Sequence, residues 1–107
     1  MATPRFNHVN IPARDPEGLA RGYGELLGAA VKGSSVRGEG WLVNFTADGP
    51  LNAPESFHTG FRVETKDAAR AYLSREGAKL EFDQQDFFAV RLNDPEGNLL
   101  EIYWATG

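Results

Sequence analysis

The sequence predicts an α+β fold in which one supersecondary plan is used twice. Three observations lead there. The stretch Phe57-His58-Thr59-Gly60-Phe61-Arg62-Val63-Glu64 alternates with period two, as a strand with two unlike faces does. Thr59, Phe61 and Val63 share a mostly apolar face, and His58, Gly60, Arg62 and Glu64 a small or polar one. Second, Leu19, Tyr23, Leu26 and Leu27 recur at helical spacing and form an apolar stripe. Third, the pattern repeats: about fifty residues separate His8 from His58, Ile11 from Phe61, Leu19 from Ala69 and Tyr23 from Leu73, and Gly28 matches Gly77. Each half reads as strand, helix, then hairpin-like strands. About fifty residues bury a poor core alone, so the halves are expected to form one domain over 1–107, with module one at 5–48, a linker at 49–55 and module two at 56–106.

Composition narrows the function classes. An apolar fraction of 41% with 24% charged residues is ordinary for a globular protein. The net charge of −4 comes from scattered acids and bases, which argues against the basic stripe of a nucleic-acid surface. No apolar run has the length of a membrane span, and Met1-Ala2-Thr3-Pro4-Arg5 lacks a signal peptide's hydrophobic stretch. Without cysteine, disulfides and thiolate metal sites are excluded, and a cytoplasmic location is the expectation.

The elements follow in order. Phe6 to Ala13 reads as a strand, with Val9 and Ile11 on one face and His8, Asn10 and Pro12 on the other. Asp15-Pro16 supplies an N-cap and a proline at the first helical position, and Gly28 a C-terminal stop. Gly22 and Gly24 each weaken this helix by about 1 kcal/mol relative to alanine. Ala29 to Val36 is expected to be a single strand, followed by a turn at Arg37-Gly38-Glu39-Gly40 and a strand from Trp41 to Thr46. Asp48 to Glu55 has the Pro, Gly and Asn content of a linker.

In the second half, Thr65 caps a helix carrying Ala69, Tyr72, Leu73 and Glu76 on one side and ending at Gly77. Lys66, Arg70 and Arg75 read as its solvated face. Lys79 to Asp83 and Phe87 to Leu92 are strands, Asn93 to Asn98 is a hairpin connection, and Leu99 to Trp104 is the last strand. On that strand Leu100, Ile102 and Trp104 share one face, with Glu101 and Tyr103 on the other. Trp41, Phe45, Phe61, Phe88, Ile102 and Trp104 are expected core, while Asp15 and Asp94 are expected capping and turn residues.

Both histidines of the chain occupy the same position of the repeat, on the face turned away from the helix, and Glu101 shares the polar face of the last strand. Two imidazoles and one carboxylate suit Fe, Mn, Ni, Co or Zn and leave coordination positions open. The competing reading is two polar strand residues and an exposed carboxylate at a sheet surface.

Three segments carry a family resemblance. They are His8-Val9-Asn10-Ile11 leading through Asp15 to Leu27-Gly28, then Phe57 to Val63, and Asn93-Asp94-Pro95-Glu96-Gly97-Asn98 leading to Glu101-Ile102. Together they resemble the vicinal oxygen chelate superfamily: glyoxalase I, extradiol dioxygenases, fosfomycin-resistance enzymes and bleomycin-resistance proteins. The resemblance implies paired βαβββ modules with sheets curled into a cup around a divalent metal, formed within one chain or across a homodimer. It also implies His8, His58 and Glu101 as metal ligands.

Departures from the family pattern set further expectations. The first module is expected to lack its fourth strand. The second carboxylate of glyoxalase I-like members has no counterpart, Asn44 lying nearest to its position. No third histidine serves as an acid/base. Tyr103 is the phenol available to catalysis, and Arg62 suits an anionic substrate group. Asn10, Asn44, Arg62, Arg91 and Tyr103 are candidate substrate contacts by strand parity, which a single bulge would reverse. The expected function is a metal-dependent lyase, isomerase or ring-cleaving dioxygenase acting on a small oxygen-chelating substrate. The alternative is a metal-free, ligand-sequestering protein of the bleomycin-resistance type.

Overall fold

The computed structural model describes residues 3–54 and 56–107. Two residues of the N-terminal stretch, Met1 and Ala2, and the last linker residue, Glu55, lie outside the described residues. The chain divides into two compact units, Met1–Asn52 and Ala53–Gly107. Among the described residues no helix is long and apolar enough to cross a membrane.

The first unit contains β1 (His8–Pro12), α1 (Pro16–Leu27), β2 (Ala30–Lys32), β3 (Ser35–Gly38) and β4 (Trp41–Thr46). Its sheet has the order β1-β4-β3-β2, with β1 and β4 parallel and the other pairs antiparallel. Asp15 caps α1 by accepting from the Gly18 amide at 3.1 Å. Gly28 ends the helix in the left-handed region, at φ 65°, and its amide donates to the Gly24 carbonyl. Leu19, Ala20 and Tyr23 of α1 are buried, as are Ile11, Val36, Val43 and Phe45 of the sheet. The Tyr23 and Phe45 rings lie 5.1 Å apart. Gly24 has a packing role as well: a Cβ there would come within 2.1 Å of the Val31 side chain. A residue that weakens the helix thereby permits close approach to β2.

This unit corrects the expectation of a missing fourth strand. Ala29 to Val36 is two strands, because the chain reverses at Gly33, whose φ of 60° a side chain would oppose. The expected turn at Arg37 and Gly38 likewise lies inside β3; only Glu39 and Gly40 turn, with Gly40 at φ 80°. Trp41 lies over Gly38, where a Cβ would meet its ring at 2.3 Å. A missing side chain on one strand thus makes room for a large one on the next. Trp41 to Thr46 is therefore the fourth strand.

The second unit contains β5 (Thr59–Arg62), α2 (Lys66–Ala71), β6 (Lys79–Asp83), β7 (Phe87–Asn93) and β8 (Leu99–Ala105). The order β5-β8-β7-β6, with β5 and β8 parallel, repeats the first unit's topology. Thr65 caps α2 by accepting from the Ala68 amide at 3.0 Å. The helix is shorter than its apolar spacing suggests. Tyr72–Ser74 form a 3-10 turn, Arg75 is extended, and the Ser74 hydroxyl donates to the Ala71 carbonyl at 3.0 Å. The core is Ala69, Phe88, Val90, Leu92, Leu100 and Ile102.

Lys66 and Arg70 are not simply a solvated face. Lys66 Nζ donates to the Gln84 carbonyl at 2.9 Å and stands 5.8 Å from the Phe88 ring centre and 5.9 Å from that of Trp104. Arg70 lies 4.9 Å over Phe88. Their charged ends lie over aromatic rings rather than standing free in solvent. Of the expected core aromatics, Phe45 and Phe88 are buried, and Trp41, Phe61 and Trp104 are half-buried.

Candidate functional site

In both units the sheet face away from the helix carries polar groups, and strand register decides which ones meet. In the first unit Asn10 pairs with Asn44 across β1–β4, and Asn44 pairs with Ser35 across β3–β4. The Asn44 Nδ2 donates to Asn10 Oδ1 at 3.1 Å, and the Ser35 hydroxyl donates to Asn44 Oδ1. Three neutral side chains thus bond in a row across three strands. His8 opens β1, is exposed, and its Nδ1 lies 3.2 Å from Asn7 Oδ1.

The second unit places different chemistry on the same lattice. Gly60 pairs with Glu101, and Glu101 with Arg91. Glu101 therefore occupies the position that Asn44 holds in the first unit. The strand expected from Phe57 begins only at Thr59, so His58 precedes β5, with its Nδ1 3.3 Å from the Ser56 carbonyl. The imidazole is close enough to Glu101 to act on its charge.

Burial first, and then the neighbouring Glu81 carboxyl, push the Glu101 carboxyl from 4.5 up to about 7, with His58 pulling the other way. Arg91 Nε lies 3.7 Å from Glu81 Oε2, too long for a hydrogen bond but within reach of its charge. Among the described residues, Glu81 Oε1 and Arg91 Nε are buried without a hydrogen-bond partner.

Alternation from Lys79 already puts Glu81 on the side of Arg91 and Glu101, but it misses an irregularity at this residue. Lys79 pairs with Arg91 and Leu80 with Val90, but the next pairs are Phe82–Ala89 and Asp83–Phe88. Glu81 is the extra residue of a β-bulge. The bulge brings Phe82 to the same side as Ala89 and Tyr103, where strict alternation would place it with Leu80. Phe82 and Phe87 have ring centres 5.5 Å apart, and Phe87 and Tyr103 have theirs 6.0 Å apart. The open face of the second unit thus carries an acidic patch beside an aromatic strip. Phe82, a large apolar residue, is 45% exposed there.

The remaining candidates are placed as follows. Arg62 is exposed, and its Nη2 donates to the Ala105 carbonyl at 2.6 Å, with Nη1 reaching Gly107 O at 3.5 Å. Tyr103 is half-buried against Phe87, and an added Cβ at Gly60 would touch its ring at 3.7 Å. Within neither unit do three His, Asp or Glu side chains among the described residues gather as an ion cage. Two of the predicted ligands, His58 and Glu101, belong to the second unit, and His8 belongs to the first. A shallow concavity at the start of α1, lined by Asp15, Glu17, Arg21, Phe45 and Thr46 among others, includes none of them.

Two βαβββ units, each with a helix on one sheet face and polar side chains on the other, define a class of small α+β proteins that offer ligand groups from an open sheet. The chain belongs to the glyoxalase-like domain family, whose family model matches residues 8–103, and with it to the vicinal oxygen chelate superfamily.

Solved structures share this fold. A glyoxalase/bleomycin resistance protein/dioxygenase family enzyme from Burkholderia phytofirmans is 19% identical with a TM-score of 0.74, the alignment covering 94% of this chain and 98% of the other. A glyoxalase/bleomycin resistance protein from Albidiferax ferrireducens is 18% identical with a TM-score of 0.66, covering 92% and 98%. The oxidase ChaP-H2 is 20% identical with a TM-score of 0.71, covering 98% and 96%. At these identities the likeness is one of fold. No curated protein matches the chain.

Proposed function

We propose that the protein is a small divalent-metal enzyme acting on an oxygen-chelating small molecule, with His8, His58 and Glu101 as the ligand set. The observation that carries this reading is the charge balance around Glu101. Two carboxyl groups, Glu101 and Glu81, share one nearby arginine, and an imidazole stands within electrostatic reach. An imidazole–carboxylate donor set suits a divalent ion of the Fe, Mn, Ni, Co or Zn group, which would take the place of the proton that Glu101 holds. His8 joins from the equivalent place in the first unit, within one chain or across a homodimer. The ion would supply Lewis-acid stabilisation of oxyanion charge, or dioxygen chemistry if it is iron.

The chain's own groups orient the substrate. The Tyr103 phenol lies two residues beyond Glu101 on the same face and is the proposed proton-bearing group. Phe82 and Phe87 beside it offer an apolar wall that excludes water from one side. Arg62 offers an anionic group only the guanidinium edge left over from its carbonyl contacts. Asn10, Asn44 and Arg91 are the proposed polar contacts. The protein is proposed to be cytoplasmic.

A second reading, metal-free sequestration of a ligand, draws on Asn44. The first unit has a hydrogen-bonded amide where the second has a carboxylate, and the aromatic strip suits ligand stacking. Metal analysis of the purified protein beside His58→Ala and Glu101→Gln separates the two. The enzyme reading expects stoichiometric metal that both substitutions remove. Equal, negligible metal in all three forms after exposure to each candidate ion would favour sequestration.

A further inference from the structure

We infer that the open face of the first unit recognises a small oxyanion group of the ligand, with the Asn10 amide as hydrogen-bond donor, Arg37 as the charge, and Asn44 and Ser35 as positioning residues; this rests on the reading that the ligand meets the open sheet faces, and on no metal. Lys32, Ser35, Asn44 and Asn10 stand in one row across all four strands. The Ser35 hydroxyl donates to Asn44 Oδ1, and Asn44 Nδ2 donates to Asn10 Oδ1 at 3.1 Å. A hydroxyl has one proton, so its use toward Asn44 sets the direction of the whole row. Donation runs from β3 through β4 to β1 and ends at Asn10 Nδ2, which has no acceptor among the described residues. Hydrogen bonds aligned in one direction polarise one another, so this end is a stronger donor than a lone amide. Lys32, at the other end, carries only donors, which favours a serine with its lone pairs toward β2 and its proton toward β4.

Charge on this face has one sign. No strand position on it is acidic, although the chain as a whole carries −4. Lys32 and Arg37 are exposed there, and neither side chain makes a hydrogen bond or ion pair among the described residues. Arg37 is two residues beyond Ser35 on β3, so it shares the face at roughly 7 Å along the strand. The second unit's Arg62 is engaged with the Ala105 and Gly107 carbonyls. Arg37 keeps its whole guanidinium fork for a ligand, and that fork matches two oxygens of one anionic group. A polarised neutral donor beside uncompensated cations suits an oxyanion; a cationic ligand would meet repulsion.

The test is a titration of the full chain in metal-free buffer, followed by nitrogen–proton correlation spectra that resolve the asparagine side-chain amides and the Arg37 Nε–H. The probes are acetate, inorganic phosphate and, as a neutral counterpart, acetamide, each against chloride at matched ionic strength. Acetate or phosphate should shift the Asn10 Nδ2 signals saturably, and acetamide should not. The tighter of the two distinguishes a planar carboxylate site from a tetrahedral phosphate site. Asn10→Ala, followed at Arg37, should weaken binding about tenfold, as loss of one hydrogen bond to a charged group does. Ser35→Ala should weaken it several-fold with its salt dependence unchanged, and Ser35→Thr, which keeps the hydroxyl, should restore it. Arg37→Gln should weaken binding and flatten the salt dependence. Thermal melting is the folding control, and the two exposed sites, Asn10 and Arg37, decide the matter if Ser35→Ala does not fold.

Signals that move no more with acetate or phosphate than with chloride would overturn the inference. So would undiminished binding in Asn10→Ala or Arg37→Gln. Undiminished binding in Ser35→Ala, or equal loss in Ser35→Ala and Ser35→Thr, would overturn the positioning role. Metal uptake by the same sample keeps the two readings apart. Oxyanion binding without metal uptake would sink the metal ligand set and leave the anion face standing, and the reverse pattern would do the opposite.

Discussion

The two units share one topology and differ in what they place at equivalent points. In the core, Ile11 pairs with Phe45 in the first unit, and Phe61 with Ile102 in the second. The large and medium residues have exchanged strands, so each parallel pair presents a similar volume to its helix. On the open face the exchange is chemical rather than steric. Asn10, Asn44 and Ser35 form a neutral, bonded row, whereas Gly60, Glu101 and Arg91 stand in the same register with charge. The comparison separates what a scaffold needs from what a site needs. Packing volume is conserved across the units, and charge is concentrated in one of them.

The largest effect tests the core half of that comparison. Phe45→Ala should cost about 3–5 kcal/mol by urea denaturation, since the ring is 2% exposed and packs on Tyr23. The half-buried Phe61, at the repeat-equivalent position of Ile11, should lose clearly less on truncation; equal losses would break the volume-exchange account. Next is the β7–β8 turn. Asp94 is 7% exposed and accepts from the Glu96 and Asn98 amides, each at 2.9 Å, and from Asn98 Nδ2 at 3.0 Å. Asp94→Ala should cost about 1–3 kcal/mol through orphaned donors.

The polar rows give smaller effects. Asn44→Ala removes two hydrogen bonds and should cost about 1–2 kcal/mol, with metal uptake retained. The smallest prediction concerns pH. Glu101, raised to about 7 by burial and by Glu81, holds its proton more tightly in the folded state. Stability from that proton is full below the ordinary value of 4.5 and is lost as pH rises through about 7. The melting-temperature difference between the unsubstituted protein and Glu101→Gln should therefore change across pH 4.5 to 7, in metal-free buffer, with the unsubstituted form relatively more stable at the acid end. Metal affinity should run the opposite way and tighten with pH, because the ion needs the deprotonated carboxylate. A flat difference would remove Glu101 from the titration.

The elements themselves were largely legible. Asp15-Pro16, Gly28 and Thr65 announce helix ends because capping and left-handed geometry depend on a few local atoms. Period-two alternation located both edge strands, with His8 opening β1 and His58 just ahead of β5. The first-unit hairpin was missed because Gly33 breaks an apolar run that otherwise reads as one strand. The α2 terminus was missed because helical spacing continues through Tyr72 and Leu73 after the helical hydrogen bonds have ceased.

The chain's own residues determined the repeated strand–helix–strand plan, the apolar faces and the like placement of His8 and His58, since these follow from side-chain period and local capping. Only the folded register decided that Asn44 and Glu101 occupy equivalent points and that Phe82 joins the open face. Cross-strand pairing joins residues distant in sequence, and one unpaired bulge residue reverses the side to which its neighbours point.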